Sequence, residues 1–202
     1  MIVLTSNNIF SHGIMIFCSK LPSVSSPFFN DGKNIAVYHY ISPRNKPNLS
    51  TEEALIREIS YRIKNKNDSE AINLAASAMA KYVNHNSILI PVPSSSGLTD
   101  TNMALASAIS LITDSKIVDA LTRKEKVLPL HEQRKLRGLD KPVTIEEHKI
   151  SIKGIDLISL IGNSTVYLVD NVITSGSTIN ACRDTLNMPD ALGIAFSKAG
   201  IY

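Results

Sequence analysis

Residues 165–178 read TVYLVDNVITSGST. The groups there able to do chemistry are an acid, Asp170, an amide, Asn171, and the hydroxyls of Thr174, Ser175, Ser177 and Thr178 around Gly176. Four hydroxyls within five residues suit a phosphate, whose several oxygens all accept hydrogen bonds. Gly176 permits positive φ or close approach of a ligand to the backbone. The elements that must hold these groups are legible. Val166, Tyr167, Leu168 and Val169 form an apolar run long enough for a buried strand and too short for a helix. Asp170 follows at its carboxyl end, then the hydroxyl–glycine turn, then a helix from about residue 179 to 186. A first helical turn has free N–H groups and the positive end of the dipole, so the whole forms an anion site. A plain strand–turn–helix with a hydroxyl N-cap fits the same residues. Neither GxxxxGK[ST] nor a GxGxxG opening a helix after a strand occurs.

VYLVDNVITSGSTI resembles the phosphoribosyl-pyrophosphate (PRPP) signature of type I phosphoribosyltransferases over about thirteen residues. That signature is four apolar residues, two acids, two apolar residues, a Thr/Ser–Gly turn and Thr. Asn171 stands here at the second acid. The resemblance implies that Asp170 and Asn171 hold the ribose hydroxyls. It also implies that Thr174, Ser175, Gly176, Ser177 and Thr178 cradle the 5′-phosphate. Mg²⁺ would enter with the diphosphate, near Asp170, with no metal site built by the protein alone.

A second small-residue loop follows another strand-like run, in ILIPVPSSSG at residues 88–97. It resembles the start of the phosphoribosyltransferase core, where a loop grips pyrophosphate; many members carry Arg or Lys there. Ser94, Ser95 and Ser96 would bind pyrophosphate through hydroxyls and backbone amides as a neutral nest. An ordinary serine-rich turn fits equally. The IPVP opening resembles the competence-associated ComF-like branch, without that branch's zinc ribbon. Residues 123–137, RKEKVLPLHEQRKLR, carry six Lys or Arg against two Glu. They stand where the family has a loop that closes over PRPP. By that resemblance Lys124, Lys126 or Arg134 would neutralise the leaving pyrophosphate and His131 would relay a proton. A solvated basic face, or a nucleic-acid contact, fits the composition as well.

The remaining residues bound the answer. At 202 residues, 44% apolar and 19% charged, the chain is an ordinary globular length and composition. A net charge of +3 is too small to argue for nucleic acid by itself. Cys18 and Cys182 form no CxxC, and no histidine stands at ligand spacing from other donors, so no zinc site is expected. No apolar run reaches membrane-span length. The first 19 residues lack an early Lys or Arg, so two short strands, at 2–5 and 14–18, are expected there rather than a signal peptide. The two distant cysteines fit a reducing cytoplasm, the expected location.

Strands are expected at 35–41, 87–92, 117–121, 149–152 and 191–197, and helices at about 51–64, 69–83 and 99–113. Pro91 and Pro93 are expected to end the hydrogen bonding of the 87–92 strand. The alternation predicts an α/β fold with a mostly parallel twisted sheet flanked by helices, and the resemblance implies that it is of type I phosphoribosyltransferase kind. Residues 1–84 would form an N-terminal α+β extension or hood, and 85–202 the core, with a basic flexible loop at 123–140. Implied by the resemblance is an enzyme transferring 5-phosphoribosyl from PRPP to a nitrogen nucleophile, a nucleobase first, acting as a homodimer. A non-catalytic PRPP or nucleotide sensor is the alternative, and a ComF-like role in DNA uptake a further one.

Overall fold

A computed structural model describes residues 21–42, 46, 48–95, 99–125, 127, 144, 146–154 and 160–200. The strands expected near residues 2–5 and 14–18 lie outside them. The described residues form eight strands: β1 (Phe29–Asn30), β2 (Asn34–Tyr40), β3 (Ile88–Pro91), β4 (Lys116–Ile117), β5 (Leu121–Arg123), β6 (Ile150–Ile152), β7 (Val166–Ile173) and β8 (Leu192–Ala199). The main helices are α1 (Thr51–Lys66), α2 (Ser69–Met79), α3 (Asp100–Thr113) and α4 (Ser177–Leu186).

Six strands form one sheet in the order β1-β2-β8-β7-β3-β4, all parallel except the antiparallel β1 at its edge. The central strands are apolar on both faces, as a parallel sheet covered on both sides requires. Tyr167 and Val169 join the core under α1, α2 and α3, whereas Val166 and Leu168 join the core under α4. Leu89 and Ile88/Ile90 divide in the same way, following the two-residue period of a strand. The alanine-rich α2 buries Ala71, Ala75, Ala76 and Ala78, which lets it lie close to its neighbours. Residues before 84 thus supply two strands to the same sheet and two helices to its core.

Helix starts follow local chemistry. Ser50 accepts from Glu53 N and Glu53 Oε2 accepts from Ser50 N, a capping box that satisfies two otherwise orphaned donors. Asp68 caps α2 through Ala71 N, and Arg62 binds both Asp68 and Glu70 across the α1–α2 junction.

Two local expectations are corrected and a third holds. β3 ends at Pro91, with a last ladder bond from Val92 N to Val169 O at 2.9 Å inside the expected 87–92 strand. Ile88 and Val92 bond toward β7 and Leu89 toward β4, so the N–H that Pro91 lacks would face past the end of the two-residue β4. The strand expected at 117–121 divides: β4 edges the sheet, while β5 leaves it and pairs antiparallel with β6. Asp170 and Asn171 lie inside β7 rather than beyond its end. The cause is β8, which runs alongside and keeps the ladder intact as far as the Ile173–Lys198 pair.

Candidate functional site

Because β2, β8, β7 and β3 are parallel, their carboxyl ends share one rim, the usual ligand side of an open α/β sheet. The hydroxyl–glycine turn leaves β7 on that rim and opens α4. Gly176 is buried at the N-cap with φ +82, and its carbonyl accepts the Asn180 N–H at 2.9 Å, so the helix begins at once. A cleft beside it is lined by Asp170, Val172, Thr174, Gly176 and Thr178 among others. The Ser175 and Ser177 hydroxyls instead lie 3.1 Å apart in a mutual hydrogen bond. Of the five expected phosphate ligands, three line the cleft and two face one another.

Gly176 has room for a side chain, since the nearest atom to an added Cβ is 4.0 Å away. Its constraint is therefore conformational. Gly176→Ala is expected to lower stability by about 1–2 kcal/mol, the left-handed penalty, and Gly176→Asn by less. Urea midpoints of the two variants check this; equal losses would show that φ is not the cause.

Asp170 is half-buried, and its Oδ1 accepts from Asn171 N at 2.8 Å and Asn102 Nδ2 at 3.2 Å. Burial raises its pKa, against the Asn171 N–H, the Asn102 amide and the charges of Lys64 and Arg123. Asn102, in the first turn of α3, is 6% exposed and also donates to Val92 O at 2.8 Å. It ties the acid to the strand end that leads into the serine loop. Its own Oδ1 is buried without a hydrogen-bond partner among the described residues.

Lys198, at the end of β8, donates from Nζ to Thr174 O at 2.8 Å and lies over the Phe29 ring at 4.3 Å. An ammonium thus stands against the turn from an adjacent strand. Sequence reasoning missed it, although a Lys near the end of the strand after the turn is a usable signal in a parallel sheet.

Of the serine loop, Ser94 is exposed, Ser95 is half-buried and Ser96 lies outside the described residues. Among the described residues Arg123 reaches it, as the last residue of β5 rather than as part of a flexible basic loop. It ends β5 and donates from Nε to Ser94 O at 2.7 Å, from Nη2 to Pro93 O at 3.4 Å and from Nη1 to His148 O. Burial lowers its pKa, while the nearby Cys182 and Asp170 act the other way. Lys124 is exposed, one residue beyond the β5–β6 pairing, with its N–H on Lys149 O. Val127 N donates to Ser95 O at 3.1 Å, so the chain leaves β5 alongside the serine loop. Lys126, His131 and Arg134 lie outside the described residues.

The described residues contain no group of three or more His, Cys, Asp or Glu able to hold a metal ion. Asp170 alone offers an ionisable oxygen in the cleft, which fits a metal held mainly by a diphosphate and water. Cys182 is buried in α4 and its thiol pKa is pushed up by burial, which makes it unreactive. No helix among the described residues is long and apolar enough to cross a membrane. No protein-family model matches the chain, and no match is found among curated proteins.

Proposed function

We propose that this chain binds PRPP with Mg²⁺ and transfers its 5-phosphoribosyl group to a nitrogen nucleophile, releasing pyrophosphate. One observation carries the reading: a glycine-opened helix N-terminus and a half-buried carboxylate share one cleft at the end of a buried parallel strand. The α/β sheet with a hydroxyl–glycine turn after one strand and a serine loop after its neighbour supports the type I phosphoribosyltransferase resemblance.

In the reaction, the bond from ribose C1 to the pyrophosphate oxygen breaks and its electron pair leaves on that oxygen. The acceptor nitrogen forms the new bond to C1 and gives its proton to the departing pyrophosphate or to water. The turn at 174–178 would hold the 5′-phosphate by backbone amides and the Thr174 and Thr178 hydroxyls. Lys198 adds positive charge beside them. Asp170 would hold a ribose hydroxyl and oppose the positive charge that builds on the sugar ring. Bound Mg²⁺ would neutralise diphosphate charge. Ser94 and Ser95 would contact pyrophosphate. Roles for Ser96, His131 and Arg134 rest on the resemblance alone, as do the homodimer and the nucleobase as acceptor.

A second reading, binding without turnover, is favoured by Asn171 at the second acid and by Arg123, whose donors go to backbone carbonyls. Titration calorimetry with Mg²⁺ and PRPP, paired with a pyrophosphate-release assay, separates the two. Binding by the natural chain is expected, weakened about tenfold in Asp170→Asn, the scale of one lost charge-assisted hydrogen bond. Turnover that arises only in Asn171→Asp would establish the sensor. No heat with either PRPP or pyrophosphate would overturn both readings.

A further inference from the structure

We propose that a second pocket on the same rim, lined by Tyr40, Arg57, Glu58 and Tyr61, binds a planar nitrogen heterocycle carrying a donor and an acceptor on one edge. If the preceding reading holds, this is where the nucleophile sits; the base-binding claim itself stands on the pocket.

Position comes first. Tyr40 ends β2 and pairs with Ala199 of β8, while Lys198 of β8 pairs with Ile173 of β7. Two strand spacings, about 10 Å, therefore separate the pocket from the turn beyond β7. Helix α1 is drawn across these strands. It packs against β2, β8 and β7 in turn. Farther along, Ser60 Oγ lies 3.2 Å from Ser197 Oγ of β8. Near its end, Lys64 lies close enough to Asp170 to act on its carboxyl. Arg57, Tyr61 and Lys64 stand at i, i+4 and i+7, one face of that helix. The face runs from the pocket toward Asp170.

Composition comes next. Two tyrosines line the pocket, and Tyr61 is 51% exposed although it is a large side chain. Stacking a base on such a ring needs no particular sequence or charge. Arg57 offers donors only and Glu58 acceptors only, so a ring edge carrying both kinds of group satisfies them together. Neither forms an ion pair among the described residues, whereas Glu53 and Arg62 of the same helix do. The two charges cancel, which removes any preference for phosphate. The volume, about 280 Å³, lies just below the range of small-molecule pockets that begins at about 300 Å³. It takes one ring system rather than a whole nucleotide.

Ligand-observed NMR with hypoxanthine, adenine, uracil, cytosine and nicotinate, and with indole as a ring lacking the paired edge, tests the proposal. Each is measured with and without Mg–PRPP. At least one heterocycle is expected to bind better than indole. Tyr61→Ala should weaken it at least about fivefold and Tyr61→Phe should retain it, the lower bound of base–aromatic stacking. Arg57→Met and Glu58→Gln should reorder the panel. Binding unaffected by all four variants, or no heterocycle binding in either condition, overturns the proposal. If PRPP binds and no heterocycle does, this inference fails and the phosphoribosyl reading survives. If heterocycles bind and PRPP does not, the reverse holds.

Discussion

Arg183→Ala is expected to remove about 3–5 kcal/mol of folding stability, a large share of what a domain this size possesses. Arg183 is 4% exposed and lies in the last turns of α4. Its Nε donates to Ala191 O, Nη1 to Asn180 Oδ1, and Nη2 to Lys33 O and Asn34 Oδ1, all at 2.6–2.7 Å. One planar fork thus joins α4 to the turn before β2 and to the residue that leads into β8. Burial lowers its pKa, opposed first by the charge of Asp31. Asp31 is itself the acceptor for the Asn34 N–H and side-chain amide.

Alanine would leave buried acceptors without donors, each costing about 1–3 kcal/mol, with entering water offsetting part. Neighbours cannot close the gap. Gly193 is already so tight that an added Cβ would lie 2.5 Å from Asn34 Oδ1 and about 3 Å from Ile179. Arg183→Lys should recover less than half, because an ammonium lacks the fixed fork. Urea unfolding checks both variants, and a loss below about 1 kcal/mol in Arg183→Ala would refute the staple. The consequence reaches the site, since α4 is the helix whose N-terminus faces the cleft.

Acidification from pH 6.5 to 4.5 is expected to remove about 2–3 kcal/mol through His148 alone. His148 is 1% exposed, and its Nε2 has no hydrogen-bond partner among the described residues. Burial, and then Arg123 beside it, pushes its pKa down to about 4, with Glu147 opposing. A base depressed in the folded state binds its proton first when unfolded. Its stabilising effect is therefore complete above about pH 6.5 and is lost as pH falls toward 4. His148→Phe should flatten that part of the stability profile, whatever it does to the value at neutral pH. Unfolding free energies at pH 7.0 and 4.5 for both proteins decide the point; equal slopes would sink it. The serine loop should loosen over the same window, because Arg123 grips both His148 O and Ser94 O.

Periodicity and local chemistry determined much of this protein. The two-faced apolar runs at 88–90 and 166–169 require a covered parallel sheet. Ser50 with Glu53, Asp68 and Gly176 act within four residues of their own positions, so α1, α2 and α4 begin where short-range hydrogen bonding dictates. The candidate turn was legible for the same reason: strand, turn and helix are consecutive. Tertiary structure alone decided what surrounds it. Asn102 reaches Asp170 across 68 positions, Arg183 reaches Asn34 across 149, and Lys198 meets Thr174 across 24. A side chain's periodicity says which face it takes, not which strand lies next to it. Strand order sets that, and the order here places β2 and β8, from opposite ends of the chain, side by side. Arg123 shows the difference most plainly. In sequence it heads a run of basic residues, but in the fold it ends a strand against backbone carbonyls, because β5 leaves the sheet to pair with β6.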